Sequence, residues 1–464
     1  MTSGSPDLPA SNSNDTLPRD ATRRPNIAYD DPQGGDDAEK TTRRDDPVAI
    51  PRGWKERSKY WTWNCYTVNM GTGAVSILIG GIPFKMMGFS QRILGTIFYI
   101  LNIHLFIINT SGVISRFIFH RATFLESFHD HNDGTYIPCF ALAIAGLFVG
   151  SVDFALPHVG FWFTRTLYVI WIFYIALNLL VAMTLENTLR GKRRSLETIT
   201  PADCLFVLSF MIAGTLGSAL APRLPSEEAG YVIIVSYMIQ GLGFMISLLK
   251  LSVWQARSML LPSPDPSSLP GYIIAVGPPG FTAFAFLRLA DTSRTAFPAS
   301  GILSGSAGDM FVAINVWFAL ILIGMGLYIF LSTLSIWIGG SIMRGKLQWS
   351  MAWWSFTFPL VGIFMAFAEL GKLLPSKTCD SVQVFGCFFV SIAWTVDIVM
   401  TFYSVFISKT VCMPKAVESP CPREGLDGLD GWAAKRPERD AEEGRVRQRS
   451  SGDRKEWARN SIDA

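Results

Sequence analysis

Gly340-Ser341-Ile342-Met343-Arg344-Gly345-Lys346 opens like a phosphate-binding loop, in which glycine N–H groups cradle phosphate ahead of a lysine. Leu347 then stands where Ser or Thr would hold Mg²⁺, and no strand precedes the run, so it reads as a positive turn. An ATP-driven pump is not supported. His129-Asp130-His131-Asn132-Asp133 offers several metal-ligand types, but in one short polar run without a distant partner. It reads as a turn capping the next helix. Gly301–Gly308 (GILSGSAG) has serines without the Gly-x-Ser-x-Gly spacing of a hydrolase and without a nearby histidine. Five histidines in the whole chain are too few for the His-rich boxes of membrane desaturase chemistry. No catalytic residue, metal site or cofactor is expected, and the chain reads as a non-enzyme.

Charges inside apolar stretches are the other candidates, since each is costly unless paired or wet. Asp153, Arg165, Arg288, Asp291, Glu369 and Lys372 lie near expected helix ends, where they can snorkel or pair; Glu369 and Lys372 are three apart on one face. Asp397 lies near the middle of the last apolar segment, as a coupling acid or as a buried, hydrogen-bonded one. Seven cysteines at 65, 139, 204, 379, 387, 412 and 421 form no Cys-x-x-Cys pair and read as small apolar side chains.

The elements that must hold these residues are legible from hydropathy. Between Trp61 and Lys409 the chain is almost continuously apolar, as in Tyr168–Met183 (YVIWIFYIALNLLVAM). A helix needs ~20 such residues to cross a bilayer, because its backbone polar groups must bond internally there. Ten helices are expected, at 61–83, 92–119, 136–156, 159–185, 202–221, 230–256, 270–290, 309–338, 349–371 and 382–408, giving an all-α integral membrane protein. Charge concentrates at the ends: the first sixty residues hold ten Lys/Arg and eleven Asp/Glu, and the tail from Met413 holds eleven of each. Such polyampholytes bury too little apolar surface to order themselves, so 1–58 and 412–464 read as disordered tails around a 59–411 membrane domain. The net charge of +3 implies no nucleic acid.

Lys and Arg fall mostly on one set of loops, including Arg52, Lys55, Arg57, Lys59, Arg116, Arg121, Arg190, Lys192, Arg193 and Arg194. That excess puts both termini in the cytosol. Nothing before Ile50 reads as a signal peptide, since the stretch has no apolar run, and the first membrane helix is expected to direct insertion itself. The sequons at Asn14 and Asn109 would lie in the cytosolic tail and inside the second helix, so neither is expected to carry glycan. Ser195 and Ser450 follow basic residues on expected cytosolic segments; phosphate there would cancel positive charge, unless those charges serve only orientation. Odd-numbered helices are rich in Gly, Pro, Ser and Thr, as with Gly71, Gly73, Pro138, Gly214, Pro278, Pro279 and Pro359, whereas even-numbered ones are bulkier. Paired helices repeating every 65–80 residues or so suggest a ring with the small-residue helices inside. The alternation fits either a water-filled path or plain close packing.

Several strings appear in fixed order: Trp61-Thr62-Trp63 with Asn69-Met70-Gly71-Thr72-Gly73; Gly80-Gly81-Ile82-Pro83-Phe84; Arg116-Phe117; Val276-Gly277-Pro278-Pro279-Gly280-Phe281; Trp353 to Pro359 (WWSFTFP); and Glu369-Leu370-Gly371-Lys372. Together they resemble the fungal malic acid transport proteins of the tellurite-resistance/dicarboxylate transporter family, which also holds sulfite efflux pumps and plant slow anion channels. The resemblance covers residues 60–412 or so. It implies five helical hairpins around a central pore, in a homotrimer, carrying malate or related C4-dicarboxylates across the plasma membrane, with sulfite efflux or a gated anion channel as alternatives. It also implies a phenylalanine plugging the pore, by position Phe358, beside bends at Pro278, Pro279 and Pro359. The substrate path is then expected along Asn69, Thr72, Ser76, Ser209, Thr215, Thr282, Ser355 and Thr357, neutral hydrogen-bonding groups on odd helices. Asn69 and Gly280 depart from the family pattern, which more often has Thr and Ala there.

Overall fold

The computed structural model describes residues 53–82, 91–190, 195–262, 267–339 and 349–407. Among these there is no strand. The principal helices are α1 Tyr66–Gly80, α2 Gln91–Phe119, α3 Ile137–Gly150, α4 Phe161–Arg190, α5 Leu205–Leu220, α6 Ser226–Leu260, α7 Gly277–Ser300, α8 Gly305–Trp337, α9 Phe358–Leu373 and α10 Lys377–Phe402. Among the described residues, nine spans are long and apolar enough to cross a bilayer. The exception is α1, whose fifteen residues follow one 3-10 turn at Trp63–Cys65.

Side-chain size sorts these helices into two layers. Apolar surface gains nothing by leaving lipid for protein, so helices that meet closely are those whose small residues let backbones approach. The most apolar stretch of the span around α5 is fully buried in protein, and that of the α7 span is 94% buried. Those of α2, α4 and α10 are only 22% buried and present large apolar side chains outward. Each inner helix packs on two others, α1 on α3, α3 on α5, α5 on α7, α7 on α9 and α9 on α1, so the inner layer closes into a ring. Successive helices α1–α2, α5–α6, α7–α8 and α9–α10 pack together, but α4 lies closer to α5 than to α3. Glycines set the closest approaches. A methyl on Gly280 would lie 2.9 Å from the Ile363 nitrogen, and one on Gly362 would lie 2.7 Å from the Phe281 nitrogen.

Several inner helices begin with a tight turn. Pro201–Cys204, Leu269–Val276 and Met351–Phe356 are 3-10 segments running into α5, α7 and α9. Pro278, Pro279 and Pro359 stand in the first turn of their α-helices, where a missing N–H is harmless. They mark the junctions where the 3-10 segments pass into α-helix. Helix α7 runs ten residues beyond the expected end, through polar Asp291–Ser300, until Gly301 terminates it at φ 71°. A short helix at Ala122–His129 was not anticipated. Expectations for residues 1–52, the turn at 340–346, Lys192–Arg194, Cys412 and Ser450 fall outside the described residues.

Candidate functional site

The N-terminal ends of all five inner helices meet around one cavity of about 110 Å³. Met70 of α1, Cys139 of α3, Leu205 of α5, Ile274 before α7 and Trp354 and Phe358 of the α9 region contribute to its wall. The five helices therefore run in the same direction. Polar groups come from Asn64, Thr67, Thr200, Ser268, Tyr272 and Ser355, and no charged side chain is among the described lining residues. Helix N-termini leave N–H groups unbonded and carry partial positive charge, so a neutral wall here favours anions.

At the inner end of the cavity, Phe358 sits with its ring centroid 4.8 Å from that of Phe281, the planes inclined by 31°. Both rings are buried. They come from adjacent inner helices whose backbones touch at Gly280 and Gly362, so the two rings are locked to one another. Phe358 is helical even though a proline follows it, so no departure from helical geometry aims its ring. Phe281 was legible only as part of the Val276–Phe281 string, where nothing marks it as the partner of a residue nearly eighty positions away.

Of the eight side chains expected along the path, Ser355 lines the cavity. Most others are engaged in joints between helices. Asn69 Nδ2 donates to Asn102 Oδ1 of α2 at 3.0 Å, and Asn109 Nδ2 donates to Asn69 Oδ1 at 2.7 Å. Thr72 accepts from Trp394 of α10 at 3.0 Å, and Ser76 donates to the Gly95 carbonyl of α2 at 2.9 Å. Thr215 donates to Gln240 Oε1 of α6, whose Nε2 donates to Thr282, each at 3.1 Å. Ser209 and Thr357 bond back to carbonyls of their own segments, Phe206 and Trp354. Buried hydroxyls and amides need partners, and Asn69, Thr72, Ser76, Thr215 and Thr282 find them on the outer helices α2, α6 and α10.

The remaining charges are mostly paired. Glu369 and Lys372 meet at 2.9 Å, Arg165 pairs with Glu228, and Arg116 with Asp133 at 2.7 Å. Asp133 Oδ1 also accepts the Trp63 N–H, so the His129–Asp133 run anchors the start of the first inner helix. Buried Arg257 donates to the Tyr272 hydroxyl at 3.1 Å, behind the cavity wall. Among the described residues no group of three or more His, Cys, Asp or Glu is placed to hold a metal.

The chain belongs to the SLAC1 voltage-dependent anion channel family, which it matches over residues 60–402. It is similar to a malic acid transport protein of Schizosaccharomyces pombe, 26% identical over 376 residues that cover 79% of this chain and 83% of that protein. It is also similar to the sulfite efflux pump SSU1 of Arthroderma benhamiae, 25% identical over 371 residues covering 79% and 94%. An uncharacterised transporter of Methanocaldococcus jannaschii, MJ0762, is 24% identical over 269 residues, 57% of this chain and 72% of that protein.

Proposed function

We propose that this member of the anion channel family carries malate or related C4-dicarboxylates along the axis of its inner ring. The observation that carries this reading is the neutral cavity where five helix N-termini converge, ended by the Phe281–Phe358 pair. Uncharged hydroxyls and helix-end N–H groups bind a dianion weakly, which suits passage better than retention. The path runs past Ser355 to the aromatic pair, and Phe358 is its gate. Asn69, Thr72, Ser76, Thr215 and Thr282 act on it indirectly, by fixing where the inner helices stand.

Ten spans as five hairpins complete the proposal. Residues 63–80 rise about 27 Å, close to the ~30 Å hydrocarbon core, so α1 with its 3-10 turn is the tenth. Both termini then face the cytosol, in a homotrimer at the plasma membrane. Proton coupling, where present, comes from uptake of the monoanion.

Uptake of labelled malate into proteoliposomes holding the full-length protein tests the substrate. Malate-dependent uptake above that of empty vesicles is expected, and sulfite flux without malate uptake would reverse the assignment toward the efflux pumps. A current that reverses at the anion equilibrium potential and ignores the proton gradient would make the protein a channel.

A further inference from the structure

The end of the ring opposite the cavity holds a charged pair that the transport path has not yet used. Arg288 lies seven residues beyond Phe281 on α7, two turns along the same face. Its Nη2 reaches Asp153 Oδ1 at 3.6 Å, and its guanidinium lies 5.9 Å from the Phe284 ring centroid. Asp153 belongs to a π-helical turn, Ser151–Ala155, that continues α3. Such single turns re-aim side chains and recur at functional sites. Helices α3 and α7 are not neighbours in the ring, because α5 packs between them. A line joining two next-nearest members of a five-membered ring passes through its interior, which supports a place for this pair on the lumen side beyond the aromatic rings.

The contact is long, and both side chains remain partly open to solvent, at 18% and 27%. Arg92 at the start of α2 donates to the backbone carbonyl of Asp153 at 3.1 Å, which fixes the π-helical turn while the Asp153 carboxylate pairs with Arg288. A guanidinium offers five N–H donors in a planar fork suited to a carboxylate. Here a single 3.6 Å approach uses little of that capacity.

We propose that Arg288 is the carboxylate-receiving group on the far side of the aromatic pair, and that Asp153 holds its place until an anion arrives. The incoming carboxylate exchanges with Asp153 on the guanidinium, and Asp153 reclaims it as the anion leaves. Internal competition keeps affinity modest, which speeds release. This assignment rests on the transport reading and adds to it a binding site for organic carboxylates.

Full-length protein in proteoliposomes gives the half-saturating malate concentration, and malate-induced thermal stabilisation in detergent gives binding without transport. Asp153→Asn is expected to lower the half-saturating concentration by about tenfold, and Arg288→Gln to raise it by about tenfold or more. Arg288→Lys should fall between, and the double variant should match Arg288→Gln, since Asp153 acts only through Arg288. A pair that merely clips α3 to α7 predicts something else: both single variants lower the unfolding temperature and leave half-saturation unchanged. That result overturns the proposal. If wild-type protein is stabilised by malate but does not move it, the transport reading fails and the same variant order in binding decides the site. If it moves sulfite and not malate, the order is read with sulfite. No stabilisation and no flux with either anion would end both.

Discussion

Phe358 touches the cavity on one side and Phe281 on the other, so its truncation separates gating from packing. Turning such a ring aside costs ~1 kcal/mol, and removing it should raise flux per surface-expressed molecule several-fold. Phe358→Ala is therefore expected to increase small-anion flux and loosen selectivity. Core packing predicts the opposite, because a truncation of this kind costs ~3–5 kcal/mol and lowers folded protein and transport together. Flux per molecule at or below wild type would remove the gate. Asp397 invites a different test. Its carboxyl is buried, and its carbonyl accepts from Thr401, which in turn accepts from Trp354 at the cavity wall. It thus stands one residue behind the cavity, on an outer helix. Asp397→Asn keeps the shape, and malate uptake is expected to stay within about twofold of wild type. Loss of uptake at normal expression would mean that the carboxyl cycles a proton during transport.

At the scale of elements, the crossing of α7 and α9 fixes the aromatic pair. A methyl added at Gly280 would press on the Ile363 backbone, which cannot swing away as a side-chain tip would. Gly280→Ala is expected to cost ~1–3 kcal/mol, seen as a lower unfolding temperature in detergent, and to shift the rings enough to change anion flux. An unchanged unfolding temperature would show that the crossing has slack. This crossing also illustrates what the sequence discloses. Helix positions followed from apolar length alone, and the small-residue helices proved to be the buried ones, because side-chain size governs close approach in lipid. Side-chain direction did not follow. Two Thr side chains of the same type and spacing can have different partners, and the bonds of Thr72 to Trp394 and of Thr282 to Gln240 are visible only once the other helices are in place. The end of α7 was hidden for a related reason: Asp291–Ser300 is helical but polar, and hydropathy registers only the apolar part.

For the whole molecule, the decisive property is that one chain closes the inner ring by itself, from α1 round to α9 and back. No second copy is needed to complete the cavity or the aromatic pair. The outer helices meanwhile expose large apolar side chains such as Phe173, Trp317 and Phe385, surface that lipid or another copy can cover equally well. A homotrimer would then be three parallel paths rather than one shared path. The expected mass in mild detergent is three times the 51.3 kDa chain. The expected kinetics follow from independence. Ser355→Trp places an indole in a cavity of about 110 Å³ and should block that chain's path. Co-reconstituting blocked and wild-type chains in varied ratios should reduce malate flux in direct proportion to the blocked fraction. A path formed between copies would instead lose flux as a steep power of the wild-type fraction, since one blocked chain would disable its whole assembly. A steep curve would therefore move the path from within each chain to the interface between chains, and the ring's own axis would no longer be the route.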